Sequence, residues 1–136
     1  MKPDDIVFDD DLEFYIDFPS TGKEVCIAIS DGLDASEEAL SASYKEKISD
    51  FINNSEQWYG KAMHAAKKKA LSESFDSFSD DDITLMCIYV LFEQNEKELY
   101  GLSFHFNFEG EHGCGIKLNT NDFQILEVGD ADVAFS

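Results

Sequence analysis

"ITLMCIYVLF", Ile83 to Phe92, is the most apolar run in the chain. Side chains of a strand alternate between two faces, and here both alternating sets are apolar. One set is Ile83, Leu85, Cys87, Tyr89 and Leu91; the other is Met86, Ile88, Val90 and Phe92. Such a strand belongs in the middle of a sheet, covered on both faces.

On its C-terminal side, "QNEKE" turns the chain. Tyr100, Leu102, Phe104, Phe106 and Phe108 then share one face of a strand, and Ser103, His105 and Asn107 the other. Ile116 and Leu118 mark a further strand, "NTND" a turn, and Phe123 to Val128 a last strand. Towards the N-terminus, "SFSDDD" (Ser77 to Asp82) reads as a loop. Before it the pattern is helical. "DASE" from Asp34 places an acidic N-cap three residues ahead of Glu37, and Leu40, Tyr44, Ile48, Phe51 and Ile52 follow helical spacing. "NNS" at Asn53 to Ser55 interrupts. A second helix over about Glu56 to Ser74 presents Tyr59, Met63, Ala66 and Ala70 on one face. The chain opens on a hairpin. Leu12, Phe14, Ile16 and Phe18 alternate with Glu13, Tyr15 and Asp17, "PSTG" supplies turn chemistry, and Val25, Ile27 and Ile29 resume the alternation.

Two strands, two helices and about four strands joined by short turns define an α+β class. A mainly antiparallel sheet, with the N-terminal hairpin at one end and a C-terminal meander at the other, packs against two helices. The 136 residues suit a single domain over 1–136, with 43% hydrophobic residues and 12 Phe to fill a core. No apolar run approaches the roughly 20 residues of a membrane helix, and "MKPDDIVFDDD" has no apolar signal core, so a cytoplasmic protein with no membrane partner is expected. Three cysteines (Cys26, Cys87, Cys114) without a C-x-x-C pair read as buried, reduced thiols.

Charge is the unusual property. Ten lysines face 29 Asp and Glu, a formal net charge of −19, and arginine is absent. That field repels nucleic acid, anionic lipid and phosphorylated substrates, and the bidentate fork that grips phosphate is missing. A basic protein partner is favoured over nucleic acid. The second helix holds Lys61, Lys67, Lys68 and Lys69. Lysines near a helix C-terminus oppose its dipole and can pair with acidic neighbours, a better reading than an anion-binding patch.

"EGEHGCGIKL", Glu109 to Leu118, gathers His112, Cys114, two acids and three glycines. With His105 from the preceding strand it offers two His and one Cys for zinc or a thiol enzyme. The spacing matches no zinc pattern, a second thiolate is missing, and a turn with close backbone approach at Gly110, Gly113 and Gly115 is the better reading. The acid runs "DDDLEFYID" and "DSFSDDDIT" lack the calcium-loop framework. No P-loop, nucleophile elbow or dinucleotide glycine motif occurs. No catalytic residue, metal site or cofactor is expected.

The ending "EHGCGIKLNTNDFQILEVGDADVAF" resembles that of a group of small bacterial domains. These close with an acid-His-Gly-x-Gly strand, a turn, and a second strand with a Val-Gly-x-x-Asp-like element. The matching residues are Glu111, His112, Gly113, Gly115, Ile116, Val128, Gly129 and Asp132, within the last quarter of the chain. Members of that group look like immunity proteins of polymorphic-toxin or contact-dependent growth inhibition systems. The resemblance implies a non-enzymatic protein that neutralises a cognate toxin domain. A nuclease-type toxin needs a basic surface for its substrate, which an acidic inhibitor complements. Charge density selects Asp9, Asp10, Asp11, Glu13 and Asp17 as contacts, with Asp80, Asp81 and Asp82 as a second patch. The alternatives are an acidic nucleic-acid mimic that inhibits a DNA-binding protein, or a small metal- or thiol-dependent enzyme using His105, His112 and Cys114.

Overall fold

A computed structural model describes residues 13–29, 42–73, 75, 78–90, 99–119 and 123–134, with the backbone alone at 29, 42–44, 80, 99 and 109–112. The chain is an α+β domain. Strands β1 (Glu13–Asp17) and β2 (Glu24–Ile29) form the N-terminal hairpin, and helices α1 (Ala42–Asn53) and α2 (Ser55–Ser72) follow. A 3₁₀ turn (Asp80–Asp82) leads into β3 (Ile83–Val90), β4 (Leu99–Phe106), β5 (Glu109–Asn119) and β6 (Ile125–Gly129), and a 3₁₀ helix (Ala131–Ala134) closes the described chain. The expected acidic cap at Asp34 and Glu37, and Leu40 with it, lie outside the described residues.

The sheet runs β1-β2-β3-β4-β5-β6 in chain order. Every neighbouring pair is antiparallel except β2–β3, which is parallel because the two helices carry the chain back across the sheet before β3 begins. At the first hairpin, Gly22 takes a positive φ of 68°, and the Phe18 carbonyl accepts from the Thr21 and Gly22 amides. "PSTG" is the turn its composition implies.

One face of the sheet makes the core. Phe14, Ile27, Ile88, Leu102 and Ile116 form a register row across five strands, all buried. Against this face α1 brings Ile48, Phe51 and Ile52, and α2 brings Trp58, Ala62, Met63, Ala66 and Ala70. The alanines let α2 lie close to the strands. Phe51 stacks between Trp58 (centroids 4.3 Å) and Tyr100 of β4 (3.8 Å), while the Trp58 indole N–H donates to the Phe51 carbonyl at 2.8 Å. That bond satisfies a buried polar handle and fixes the α1–α2 junction, which turns at Asn54. Trp58 is fully buried, yet the helical pattern of the sequence had pointed to its neighbour Tyr59.

β3 corrects one expectation. The strand is central, but its two apolar sets do not serve two covered faces. A bulge between Leu85 and Cys87 shifts the register against β4. Ile83 and Leu85 face the core before it, and Ile88 and Val90 face the core after it. One extra residue changes the phase of alternation, so members of both sets reach the same side. Met86, at the bulge, is 51% exposed, and Tyr89 is half-buried on the outer face.

"EGEHGCGIKL" is corrected too: it is strand rather than turn, lying wholly in β5. The chain reverses earlier, at Asn107 and Phe108. Gly113 and Gly115 do serve bending and close approach. The pairing with β4 jumps from Phe104↔Cys114 to Phe106↔Glu109, and Gly113 within that irregularity has a φ of 58°. On the outer face, a Cβ at Gly115 would overlap the Asp130 carbonyl oxygen, and one at Gly101 would overlap that of Ala134. The closing 3₁₀ helix rests directly on the backbone of β4 and β5.

Candidate functional site

The outer face of β1–β3 carries the side chains that the core does not use. Tyr15, Cys26, Cys87 and Ser103 are register partners in one row across β1 to β4. The next row holds Glu13, Ala28 and Tyr89, and on the other side Asp17 is opposite Glu24. Tyr15 is 59% exposed, so a large aromatic ring stands on the surface with Glu13 and Asp17 two residues to either side of it. Glu13, Tyr15 and Asp17 share this face by strand alternation, and the acids are roughly 13 Å apart at the usual rise per residue. Among the described residues no element crosses this half of the face.

The phenols and thiols of this face are in electrostatic and hydrogen-bonding contact. Burial raises the pKa of the Cys87 thiol, and the adjacent Cys26 raises it further. Tyr89 is raised by burial and by Cys87. Tyr15 is raised chiefly by Cys26, then by Glu13. Cys87, Tyr89 and Tyr15 therefore hold their protons above neutral pH.

The second acidic patch is at one end of the sheet. Asp81 and Asp82 precede β3 where Glu24 begins the parallel β2, the same end as Asp17. The Asp82 carboxylate accepts from the Ser79 amide at 3.0 Å, and its carbonyl accepts from the Asn107 amide at 2.8 Å. It holds the turn together as well as carrying charge. Asp81 is exposed and lines a cleft of about 550 Å³ between α2 and the first hairpin, facing Lys23, His64 and Lys67. The described acids thus divide: Asp17, Asp81 and Asp82 gather at one end, and Glu13 lies at the other end of β1. Asp9, Asp10 and Asp11 lie outside the described residues, as does the Asp80 side chain.

The histidine and cysteine candidates separate. Cys114 pairs with Phe104 and is fully buried on the core face, where burial pushes its thiol up to about 12. His105 is exposed on the opposite face. The His112 side chain is outside the described residues. No cluster of three or more His, Cys, Asp or Glu suited to a metal ion occurs among the described residues. The lysines of α2 pair as expected at Lys69, whose ammonium contacts Glu73 at 2.9 Å and Asp130 at 3.2 Å.

Sequence reading missed the exposure of Met86 and the Cys26–Cys87 contact, and it did not single out Tyr15 as a contact residue. The alternation around Tyr15 did place it on the wet face with Glu13 and Asp17. Met86 left no signal, because nothing local marks a bulge. The cysteines meet only through parallel pairing across the helical crossover.

Among the described residues no helix is long and apolar enough to cross a membrane. No protein-family model, curated protein or solved structure matches the chain.

Proposed function

We propose that this protein is a non-enzymatic immunity-type inhibitor that binds and occludes a toxin domain with a basic surface. The observation that carries the reading is the charge: 29 acids against ten lysines and no arginine, with Glu13, Asp17 and Glu24 set around an exposed tyrosine. Tyrosine is enriched among the residues that dominate binding energy, and methionine is enriched in interfaces. Tyr15 and Met86 supply the apolar centre of such a surface, and the carboxylates supply its rim. Their field speeds encounter with a cationic partner and orients it. The partner's basic groove, where a nuclease would hold its substrate, is the complementary shape and charge.

The test starts from the reading frame beside this chain's gene. That frame is expressed in a bacterium with and without this protein, and the purified pair is run by size exclusion. Restored growth together with a stoichiometric complex supports the proposal. Growth arrest that this protein does not relieve, or a neighbour that is not toxic, sinks it.

A further inference from the structure

Cys26 and Cys87 are register partners on the adjacent parallel strands β2 and β3, and their thiols are in hydrogen-bonding contact. Both are reduced. Cys26 is half-buried, hence reachable from solvent, while Cys87 is 8% exposed at the β3 bulge. Tyr15 flanks the pair on the β1 side and Tyr89 on the β3 side. Register partners on neighbouring strands are about 4.8 Å apart, inside the roughly 4.4–6.8 Å that disulfides span between Cα atoms. We propose that Cys26 and Cys87 are a redox-active dithiol that low-molecular-weight disulfides convert to a reversible β2–β3 disulfide.

The reaction runs in two exchanges. Cys26 loses its proton to solvent, and its thiolate attacks one sulfur of the small disulfide. An S–S bond forms between Cys26 and that sulfur, the original S–S bond breaks, and one small thiolate leaves and takes up a proton. Capping Cys26 removes the neighbouring charge that helps raise Cys87, leaving burial as the main brake. Cys87 then loses its proton slowly and attacks the Cys26 sulfur, expelling the second small thiolate, which takes up a proton. The protein dithiol gives up two electrons and two protons, and one small disulfide becomes two small thiols. Cys26 is the entry sulfur because it is the more exposed. Cys26 keeps the bond within reach of solvent, and exposed disulfides are the labile, regulatory ones, the behaviour of a switch rather than a permanent staple. Closing it would tie together the two ends of the helical crossover in the middle of the outer face.

The experiment treats the native protein with oxidised glutathione, alkylates the remaining thiols after unfolding, and measures intact mass and cross-linked peptides. One alkylated thiol, assigned to Cys114, and a Cys26–Cys87 peptide are expected, with full return to three thiols on mild reduction. Cys26→Ser should abolish the cross-link, and Cys114→Ser should leave it intact. Circular dichroism before and after confirms that the fold persists. Three alkylated thiols after treatment, or a mixed disulfide on Cys26 that Cys87 never resolves, would overturn the proposal. Neither result depends on the toxin partner.

Discussion

The outer face of the sheet is two different surfaces built on one set of rows. The row Tyr15–Cys26–Cys87–Ser103 continues as Gly115 and Gly129. Over β1–β3 its side chains are large or reactive and partly open to solvent. Over β4–β6 they shrink to nothing, and the closing 3₁₀ helix lies on the bare backbone at Gly101 and Gly115. The difference teaches how to read small residues in strands. Where glycine recurs on one face, the chain covers itself; where tyrosine and acids recur on the same face, no described segment lies over them. Gly115 and Gly129 belong to the self-covered half. The surface proposed for binding is the other half.

The sharpest way to break this comparison is to put a methyl group on each half. Gly101→Ala drives a Cβ into the Ala134 carbonyl, which backbone cannot yield without lifting the 3₁₀ helix. A loss of about 3 kcal/mol in urea denaturation is expected, at the upper end for overpacking. Ile88→Ala, on the core face, should cost a similar amount, about 2–5 kcal/mol. Met86→Ala should cost less than about 0.5 kcal/mol, since its side chain is half exposed and surface changes are small. If Met86→Ala were as damaging as Ile88→Ala, the bulge would not set the phase of β3.

That contrast shows what was legible in the sequence and what was not. Alternation fixed each strand's faces as far as it stayed in phase, so β1, β2 and β4 were readable, as were α2 and the turn at Gly22. A bulge is one unpaired residue whose position depends on the partner strand, so the exposure of Met86 could not be read from Ile83 to Phe92 alone. Pairing of Cys26 with Cys87 is likewise a property of the sheet, set by a parallel register across two helices. The 3₁₀ helix at Ala131–Ala134 is too short to carry a periodic signal, although Gly115 beneath it announced a close approach; Gly101 did not. Of the binding surface, the acids and their shared face with Tyr15 were legible; its limits were not.

A second comparison concerns the proposed complex with a basic toxin domain. Tyr15→Ala should weaken the complex by at least tenfold, the 1.4 kcal/mol scale of a residue that matters at an interface, with unchanged folding stability. Asp17→Asn with Glu13→Gln should act mainly on the association rate. That rate should fall as salt shortens the Debye length from roughly 30 Å at 0.01 M to about 8 Å at 0.15 M. Stopped-flow association across a salt series separates the two effects. A complex that ignores Tyr15 and the acids alike, while still forming, would move the interface to the self-covered half or the helices.

Alkaline titration distinguishes the halves more gently. Burial pushes the Cys114 thiol up to about 12 on the core face, and it also raises Cys87 and Tyr89 on the outer face. Each folded pKa lies above its unfolded value, so the folded state holds protons that the unfolded state has released. The resulting stability is complete below the unfolded thiol value of about 8.5 and is lost as pH rises towards the folded values. Chemical denaturation should therefore show stability falling from about pH 9 to pH 12. Cys114→Ala should flatten that slope while lowering the neutral-pH stability, and a slope unchanged by Cys114→Ala would assign it to Cys87 and Tyr89.

The smallest effect, of opposite sign, tests the rule about glycine itself. Gly60 sits inside α2 with an exposed surface, and a Cβ built there meets nothing within 4 Å. Its φ is ordinary for a helix, so neither a covering segment nor an unusual backbone calls for glycine. Alanine at an exposed helix interior is favoured over glycine by about 0.8–1 kcal/mol, because it loses less backbone freedom on folding. Gly60→Ala should therefore raise the denaturation midpoint by an amount in that range, where Gly101→Ala lowers it several times as far. The two substitutions add the same methyl group, one on an exposed helix and one in a buried strand beneath Ala134. A Gly60→Ala protein less stable than wild type would mean that this glycine, like Gly101, is needed for something other than helix geometry, and would break the rule drawn from Gly101 and Gly115.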